Sequence, residues 1–261
     1  RICFRRFGIC GVRVSTDVRV IPLAGIPELA EGDDLGALIA EASMRAGGLA
    51  DGDVVVVAQK AVSKVEGRLV ALGEVTPSPE AVELAGGEGD PRQLEVILRE
   101  AVRVVRSRPP LVIAETRHGF VCASAGVDAS NAPLDSVVLL PLDPDASARR
   151  IRDRLAELTG IAPGVVVSDS FGRAWRQGTT DVALGVAGFG AVRDLRGTPD
   201  GSGRELQSTQ IAVADEIAGA AELAMGKARG IPAAIVRGVD LPVGEGSATD
   251  LVMPRERDLF R

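Results

Sequence analysis

The sequence predicts an α+β fold, and three features predict it. Short apolar runs bounded by turn residues are mixed with stretches of helical spacing, and no strand–helix–strand unit repeats as it would in a doubly wound sheet. Hydrophobic residues make up 46% of the 261 positions, enough to bury one large core or two small lobes. There is no internal repeat, no heptad pattern and no low-complexity tail.

Residues 18–23 read as a first strand, closed by Pro22 and Gly25. Asp33 and Asp34 precede an apolar-periodic stretch at 35–46, a helix stopped by Gly47 and Gly48. Residues 54–58 are a β-branched run, the mark of a strand buried on both faces. Residues 76–90, rich in Pro, Gly and Glu, read as a loop suited to insertion or disorder. Residues 94–105 have helical spacing. Short apolar strands are predicted at 111–114, 120–123 and 137–140. Ile151, Leu155 and Leu158 place a helix over 147–158, with Gly160 as its stop. Residues 165–167 form a strand that leads into Asp169 and Ser170. The longest helix is expected at 209–228, small and Ala-rich, closed by Gly230 and Pro232. A late strand follows at 233–236.

Composition excludes several function classes. The net charge is −6, there is no Tyr and no basic run with interleaved aromatics, so a nucleic-acid partner is not expected. No stretch of 18 uncharged apolar residues exists, so none spans a membrane as a helix. The basic start of the chain, with Phe4 and Phe7, lacks the continuous apolar run of a secretory signal. Cys3, Cys10 and Cys122 are odd in number and widely spaced, which suits a reducing compartment. A cytoplasmic location follows as the expectation. Of the 30 basic residues only Lys60, Lys64 and Lys227 are Lys, and Asn131 is the sole Asn. In an Arg-rich background a retained ammonium draws notice, because it serves a phosphate as a compact point charge.

Four stretches carry candidate chemistry. In the first, VSDSFGRAWRQGTTD, a buried strand delivers Asp169 and Ser170, with Arg173, Trp175 and Arg176 shortly after. Carboxylate plus hydroxyl at a strand terminus can hold a hard cation through oxygen, and nearby arginines fit an anion such as phosphate. The same Asp or Ser would equally serve as the N-cap of a short helix. In the second, ASAGVDASN, a strand breaks into a loop bearing Asp128, Ser130 and Asn131. That is ordinary Asx-turn chemistry by itself, but with Asp169 it offers two acidic strand ends that could converge on paired metals. In the third, AQKAVSKVEGR, a strand runs into Gln59 and Lys60, with Ser63 and Lys64 one turn on. A phosphate or carboxylate partner and a solvated helix start are both open there. In the fourth, AMGKARG, Lys227 closes the long helix, where a cation complements the helix dipole, and Gly226 permits close backbone approach. Neither GxxxxGK[ST] nor GxGxxG is present, so any nucleotide binds without the common fingerprints. His118, the only His, cannot build a multi-His metal site.

Taken together, LAGIPELAEGDDL, VVVVAQKAVSKVEGR, SAGVDASN, LLPLDPDASA, VVVSDSFGRAWRQGTTDVALGVAG, VADEIAGAAELAMGKARGIP and a closing DLF resemble the coenzyme F420-0:L-glutamate ligase family. This includes the ligase half of its two-domain actinobacterial relatives. The resemblance covers about residues 18–260. It implies residues 1–16 as an N-terminal extension and 17–261 as a gamma-glutamyl ligase domain, with an unusual α+β fold and an intertwined homodimer. It implies the substrates F420-0, L-glutamate and GTP, with two divalent cations, Mn or Mg, and potassium as a further candidate ion. Carried residue by residue, the resemblance makes Ile26, Pro27, Glu28 and Leu29 a GTP-contacting segment. Gln59, Lys64 and Asn131 become further GTP contacts, and Met225, Gly226 and Lys227 a guanine-nucleotide loop. It makes Asp128 and Asp169 ligands of one metal and Ser170 a ligand of the second. Gln59 stands where relatives can have Ser, Ser170 where Thr is frequent, and Lys227 where some members carry Gln. A protonated Lys cannot ligate a metal.

The implied reaction is phosphorylation of the terminal carboxylate of F420-0 by GTP, then attack of the glutamate amine on the acyl phosphate. Lys64, Arg173 and Arg176 are the candidates for offsetting charge during transfer. Two rivals stand beside the ligase: a metal-dependent nucleotide hydrolase, and a non-catalytic nucleotide- or deazaflavin-binding module.

Overall fold

The valines at 54–57 have no polar face, and they form the centre of the main sheet, each of them fully buried. The computed structural model describes residues 17–259. The extension assigned to residues 1–16, with Cys3 and Cys10, and the Phe260 of the closing DLF lie outside the described residues. The strands are β1 (Arg19–Pro22), β2 (Val54–Ala58), β3 (Leu69–Ala71), β4 (Ala101–Arg108), β5 (Leu111–Thr116) and β6 (Val121–Ala123). They continue with β7 (Ser136–Val138), β8 (Gly164–Arg173), β9 (Arg176–Ala187), β10 (Arg193–Asp194), β11 (Gln210–Ile211) and β12 (Ala233–Arg237). The helices are α1 (Leu35–Arg45), α2 (Gln59–Val65), α3 (Pro79–Ala85), α4 (Pro91–Glu100), α5 (Pro144–Thr159) and α6 (Val213–Met225).

Five strands form the main sheet in the order β1-β12-β2-β8-β9. All neighbours are antiparallel except β2 and β8, which run parallel. Alternation along each strand feeds two cores. Val54, Val56, Val166 and Val236 face one cluster with Ile217 and Ala221 of α6. Val55, Val57, Val165 and Val167 face the other, with Ile39 of α1 and Ile151 and Leu155 of α5. Burying a valine fully contributes on the order of 1.5–3 kcal/mol, so these central strands anchor everything attached to their ends. A third cluster joins α3 and α4 to β5 and β7, around Leu94, Ile97 and Val112. The mixed α+β class is as expected. Among the described residues no helix is long and apolar enough to cross a membrane.

Local chemistry explains the helix boundaries. Asp34, Ser78, Asp90 and Asp143 each accept a backbone N–H in the first turn of α1, α3, α4 and α5. Gly160 ends α5 in the left-handed conformation at φ 73°.

Four expectations are corrected. The helix predicted at 94–105 begins at Pro91 and ends at Glu100, and Ala101 turns extended to start β4. The Val-Arg alternation there has the period of a strand. The loop predicted at 76–90 contains α3, with Ser78 as its cap and Pro79 at its first position. The helix predicted at 209–228 is shorter, because Gln210 and Ile211 pair with Arg193 and Asp194, and Gly226 stops α6. The longest helix among the described residues is α5, with 16 residues. The strand predicted to end before Asp169 runs on to Arg173 and folds back as β9, so no helix follows for Asp169 or Ser170 to cap.

Candidate functional site

Because β2 and β8 are parallel neighbours, their carboxyl ends open on the same edge of the sheet. Ala58 pairs with Ser168, so the start of α2 stands beside the segment carrying Asp169 and Ser170. A cleft of about 1110 Å³ opens at this edge. Ile26, Pro27, Glu28 and Leu29 line it, as do Gln59 and Lys64 from α2, Asn131 from the loop before β7, Asp169 and Ser170 from β8, and Met225, Gly226 and Lys227 from the end of α6. These include every nucleotide-contact candidate named from the sequence.

Asp128 is held at the border of this cleft by its neighbours. Its backbone forms an isolated bridge with Val138, and its carboxylate accepts the Ser130 N–H at 2.7 Å and the Ser130 hydroxyl at 3.0 Å. Lys60, which lines the cleft, pairs with it at 2.7 Å and also donates to the Ser130 carbonyl at 3.0 Å. Burial resists ionisation of Asp128, but the hydrogen bonds from Lys60 and Ser130 outweigh it and hold the carboxyl below its usual range. Asn131 follows with φ 57°, a left-handed position that Asn tolerates.

Asp169 is the opposite case. Burial pushes its carboxyl up to about 6, and the charges of Asp181 and Asp128 add to the rise, while the Ser170 backbone N–H and Lys60 oppose it. Asp128 and Asp169, 41 positions apart in the chain, therefore sense each other across one cleft. Asp181, buried opposite Ser170 on β9, accepts the Ser170 hydroxyl at 2.5 Å and the Ser168 hydroxyl at 2.9 Å.

Among the described residues no group of three or more His, Cys, Asp and Glu side chains forms a cation site. The donor set named from the sequence is of another kind: two carboxylates, Asp128 and Asp169, and the Ser170 hydroxyl. All three are hard oxygen donors, the type that magnesium and manganese take. On the chemistry of these donors the residues present fit a divalent cation.

The remaining candidates differ in role. Lys64 forms a short ion pair with Glu28, tying α2 to the 26–29 segment. The Gln59 amide donates to the Ser63 hydroxyl at 2.6 Å and the Leu139 carbonyl at 2.8 Å, so it braces the cleft wall from inside. Arg173 and Arg176 pair with each other across the tip of the β8–β9 hairpin, exposed and outside the residues that line the cleft. Trp175 sits at that turn with φ 59°. His118 stacks on Phe120 with ring centroids 5.6 Å apart, and its Nε2 faces the Pro141 and Leu142 carbonyls. Burial lowers its pKa and favours the neutral ring. Cys122 is buried and its thiol is pushed up to about 12 by burial and by the charge of Asp169, which leaves it unreactive. Sequence reasoning did not select Lys60 or Asp181 as site residues. Lys60 was visible as one of three lysines; Asp181 is recognisable only once β8 and β9 are known to pair.

Residues 25–238 match the family described as F420-0:Gamma-glutamyl ligase. The Coenzyme F420:L-glutamate ligase of Methanothermobacter thermautotrophicus is 44% identical over 251 residues, covering 94% of this chain and 99% of the relative. The protein of the same name from Methanopyrus kandleri is 47% identical over 250 residues, covering 94% and 98%. That from Methanocaldococcus jannaschii is 46% identical over 213 residues, covering 81% and 85%.

Proposed function

The chain belongs to the F420-0:gamma-glutamyl ligase family and is an enzyme, and on that premise we propose that it joins L-glutamate to F420-0 at the expense of GTP. The observation that carries the proposal is the convergence of Asp128, Asp169 and Ser170 with Lys64, the 26–29 segment and the 225–227 turn around one cleft. At about 1110 Å³ the cleft exceeds the few hundred to ~1,000 Å³ of ordinary ligand pockets, consistent with a nucleotide and an acceptor held together.

A carboxylate and an amine do not condense in water without activation. GTP transfers its γ-phosphoryl group to the terminal carboxylate of F420-0, giving an acyl phosphate and GDP. The amine of glutamate attacks the acyl carbon, the C–O bond to phosphate breaks, and the amine loses a proton as the amide forms. Residues 26–29, Gln59, Asn131 and the 225–227 turn hold the nucleotide, and Lys64 places a positive charge among its phosphates. Asp128, Asp169 and Ser170 would hold Mn or Mg, whose chemistry is to neutralise phosphoryl oxygens during transfer. Arg173 and Arg176 offset charge only if the hairpin tip closes over the cleft or meets a second copy. An intertwined homodimer belongs to the same proposal and is supported by the exposed apolar Val102, Leu111 and Val121 on the β4–β5–β6 sheet. Light scattering of the purified protein tests it.

The direct test is mass spectrometry of F420-0 incubated with enzyme, GTP, glutamate and Mn or Mg. A mass gain of one glutamyl unit, dependent on each component, is expected. Release of phosphate from GTP alone at the rate of the complete mixture would favour the hydrolase reading, and no product in any mixture would favour the binding module. Asp169→Ala should cut turnover by two or more orders of magnitude in a folded protein, since a well-placed electrostatic group is worth roughly 3–4 kcal/mol.

A further inference from the structure

Asp181 has no assigned part in the chemistry above, yet it is buried at the wall of the cleft with each carboxylate oxygen spoken for. Oδ2 accepts the hydroxyl of Ser168 at 2.9 Å and Oδ1 that of Ser170 at 2.5 Å. The residue is 6% exposed, and it stands directly opposite Ser170 in the β8–β9 register. A serine hydroxyl has one proton and two lone pairs. With its proton given to Asp181, Ser170 can present only lone pairs to the cleft. A free serine in the same place would offer a donor or an acceptor, depending on how its hydroxyl rotated.

We propose that Asp181 is the positioning residue for Ser170: it fixes the Ser170 hydroxyl proton away from the cleft and so makes that oxygen a permanent acceptor, the state in which it can ligate a divalent cation. This rests on the reading that Ser170 holds one of the cations. The two hydroxyls each donate to a different oxygen of Asp181, so neither proton is left over for the cleft. Partners of this kind orient metal ligands and are commonly worth 10–100-fold in affinity. Its charge also reaches Asp169, so the same side chain orients one ligand and adds to the negative field around another.

The test is Mn²⁺ uptake by the purified protein in the presence of a slowly hydrolysed GTP analogue, followed by the electron paramagnetic resonance signal of free Mn²⁺. Asp181→Asn keeps the shape but replaces one acceptor by an amide donor. Two hydroxyl donors then compete for a single acceptor, the Ser170 proton is no longer fixed away from the cleft, and the affinity of one Mn²⁺ should fall about 10–100-fold. Ser170→Ala should lose that same Mn²⁺, Ser170→Thr should retain it, and the double variant Asp181→Asn with Ser170→Ala should be no weaker than Ser170→Ala alone. Additive losses would overturn the proposal, because they would mean that Asp181 acts on the metal directly or through the hairpin at large. If Asp181→Asn does not fold, Asp181→Glu tests the same claim by moving the acceptor one methylene away, with the same non-additivity expected. Wild-type protein that takes up no Mn²⁺ overturns the metal reading itself. Wild-type uptake with Asp181→Asn unchanged overturns only the role given to Asp181.

Discussion

Replacing Asp169 by Asn should make the metal-free protein more stable while removing its response to Mn²⁺. The carboxyl of Asp169 titrates near 6 in the fold against an ordinary 3.8, chiefly because burial disfavours its charge. Below pH 3.8 both folded and unfolded chains carry the proton, and Asp169 contributes nothing to the pH dependence. Between 3.8 and 6 the folded chain keeps a proton that the unfolded chain has released, so stability falls as pH rises through this window. Above 6 both are charged and the full cost remains. At about 1.4 kcal/mol per pH unit, the gap between 3.8 and about 6 comes to about 3 kcal/mol. Asn is neutral at every pH and can still accept the Ser170 N–H. Urea unfolding in EDTA should therefore find the variant more stable at pH 7.5 by up to about 3 kcal/mol, with the difference shrinking toward pH 4. Mn²⁺ at 100 times its Kd should then add about 2.7 kcal/mol to the wild type and little to the variant. Parallel stability curves for the two proteins from pH 4 to 7.5 would refute the reasoning.

Three further outcomes concern the frame around the cleft. Asp53 is fully buried and paired bidentately with Arg237 at 2.7 Å for both bonds, so Asp53→Ala should cost about 3–5 kcal/mol, read from urea midpoints. A Cβ at Gly185 would lie 2.2 Å from the Pro144 carbonyl oxygen, a backbone atom at the start of α5 with little room to yield. Gly185→Ala should destabilise by about 3 kcal/mol, seen as a lowered Tm. Gln59→Leu leaves the Leu139 carbonyl and Ser63 hydroxyl without their donor. It should cost about 1–3 kcal/mol in denaturant titration and weaken GTP binding measured by calorimetry.

What the sequence revealed followed the strength of local signals. The valine run of β2 and the turn into Gln59 and Lys60 were legible because a two-faced strand and an abrupt polar break have few other meanings. The helix at 147–158 was legible for its spacing, although its true start at Pro144 is set by the Asp143 cap. By contrast β9 went unread. Its first half, Arg176 to Asp181, is polar and glycine-bearing, and it is a strand only because β8 lies beside it. That single omission allowed Asp169 to be read as a cap and concealed Asp181. The helix predicted at 94–105 overran for a related reason: Val102, Val104 and Val105 satisfy helical spacing, but pairing with β5 prevails from Ala101 onward. The nucleotide-contact candidates gathered in the cleft because the resemblance supplied them as a set; periodicity alone could not have joined residues 26–29 to 225–227.

The lone parallel pair in the sheet has a practical consequence. Because β2 and β8 point the same way, their opposite ends meet too, where the Gly164 N–H donates to the Asp53 carbonyl at 2.8 Å. The exposed turn at Asp51 is thus one five-residue strand away from the reactive edge, about 16 Å at 3.3 Å per residue. A fluorophore or affinity handle installed there would sit at the far end of the buried central strand and leave the working end untouched.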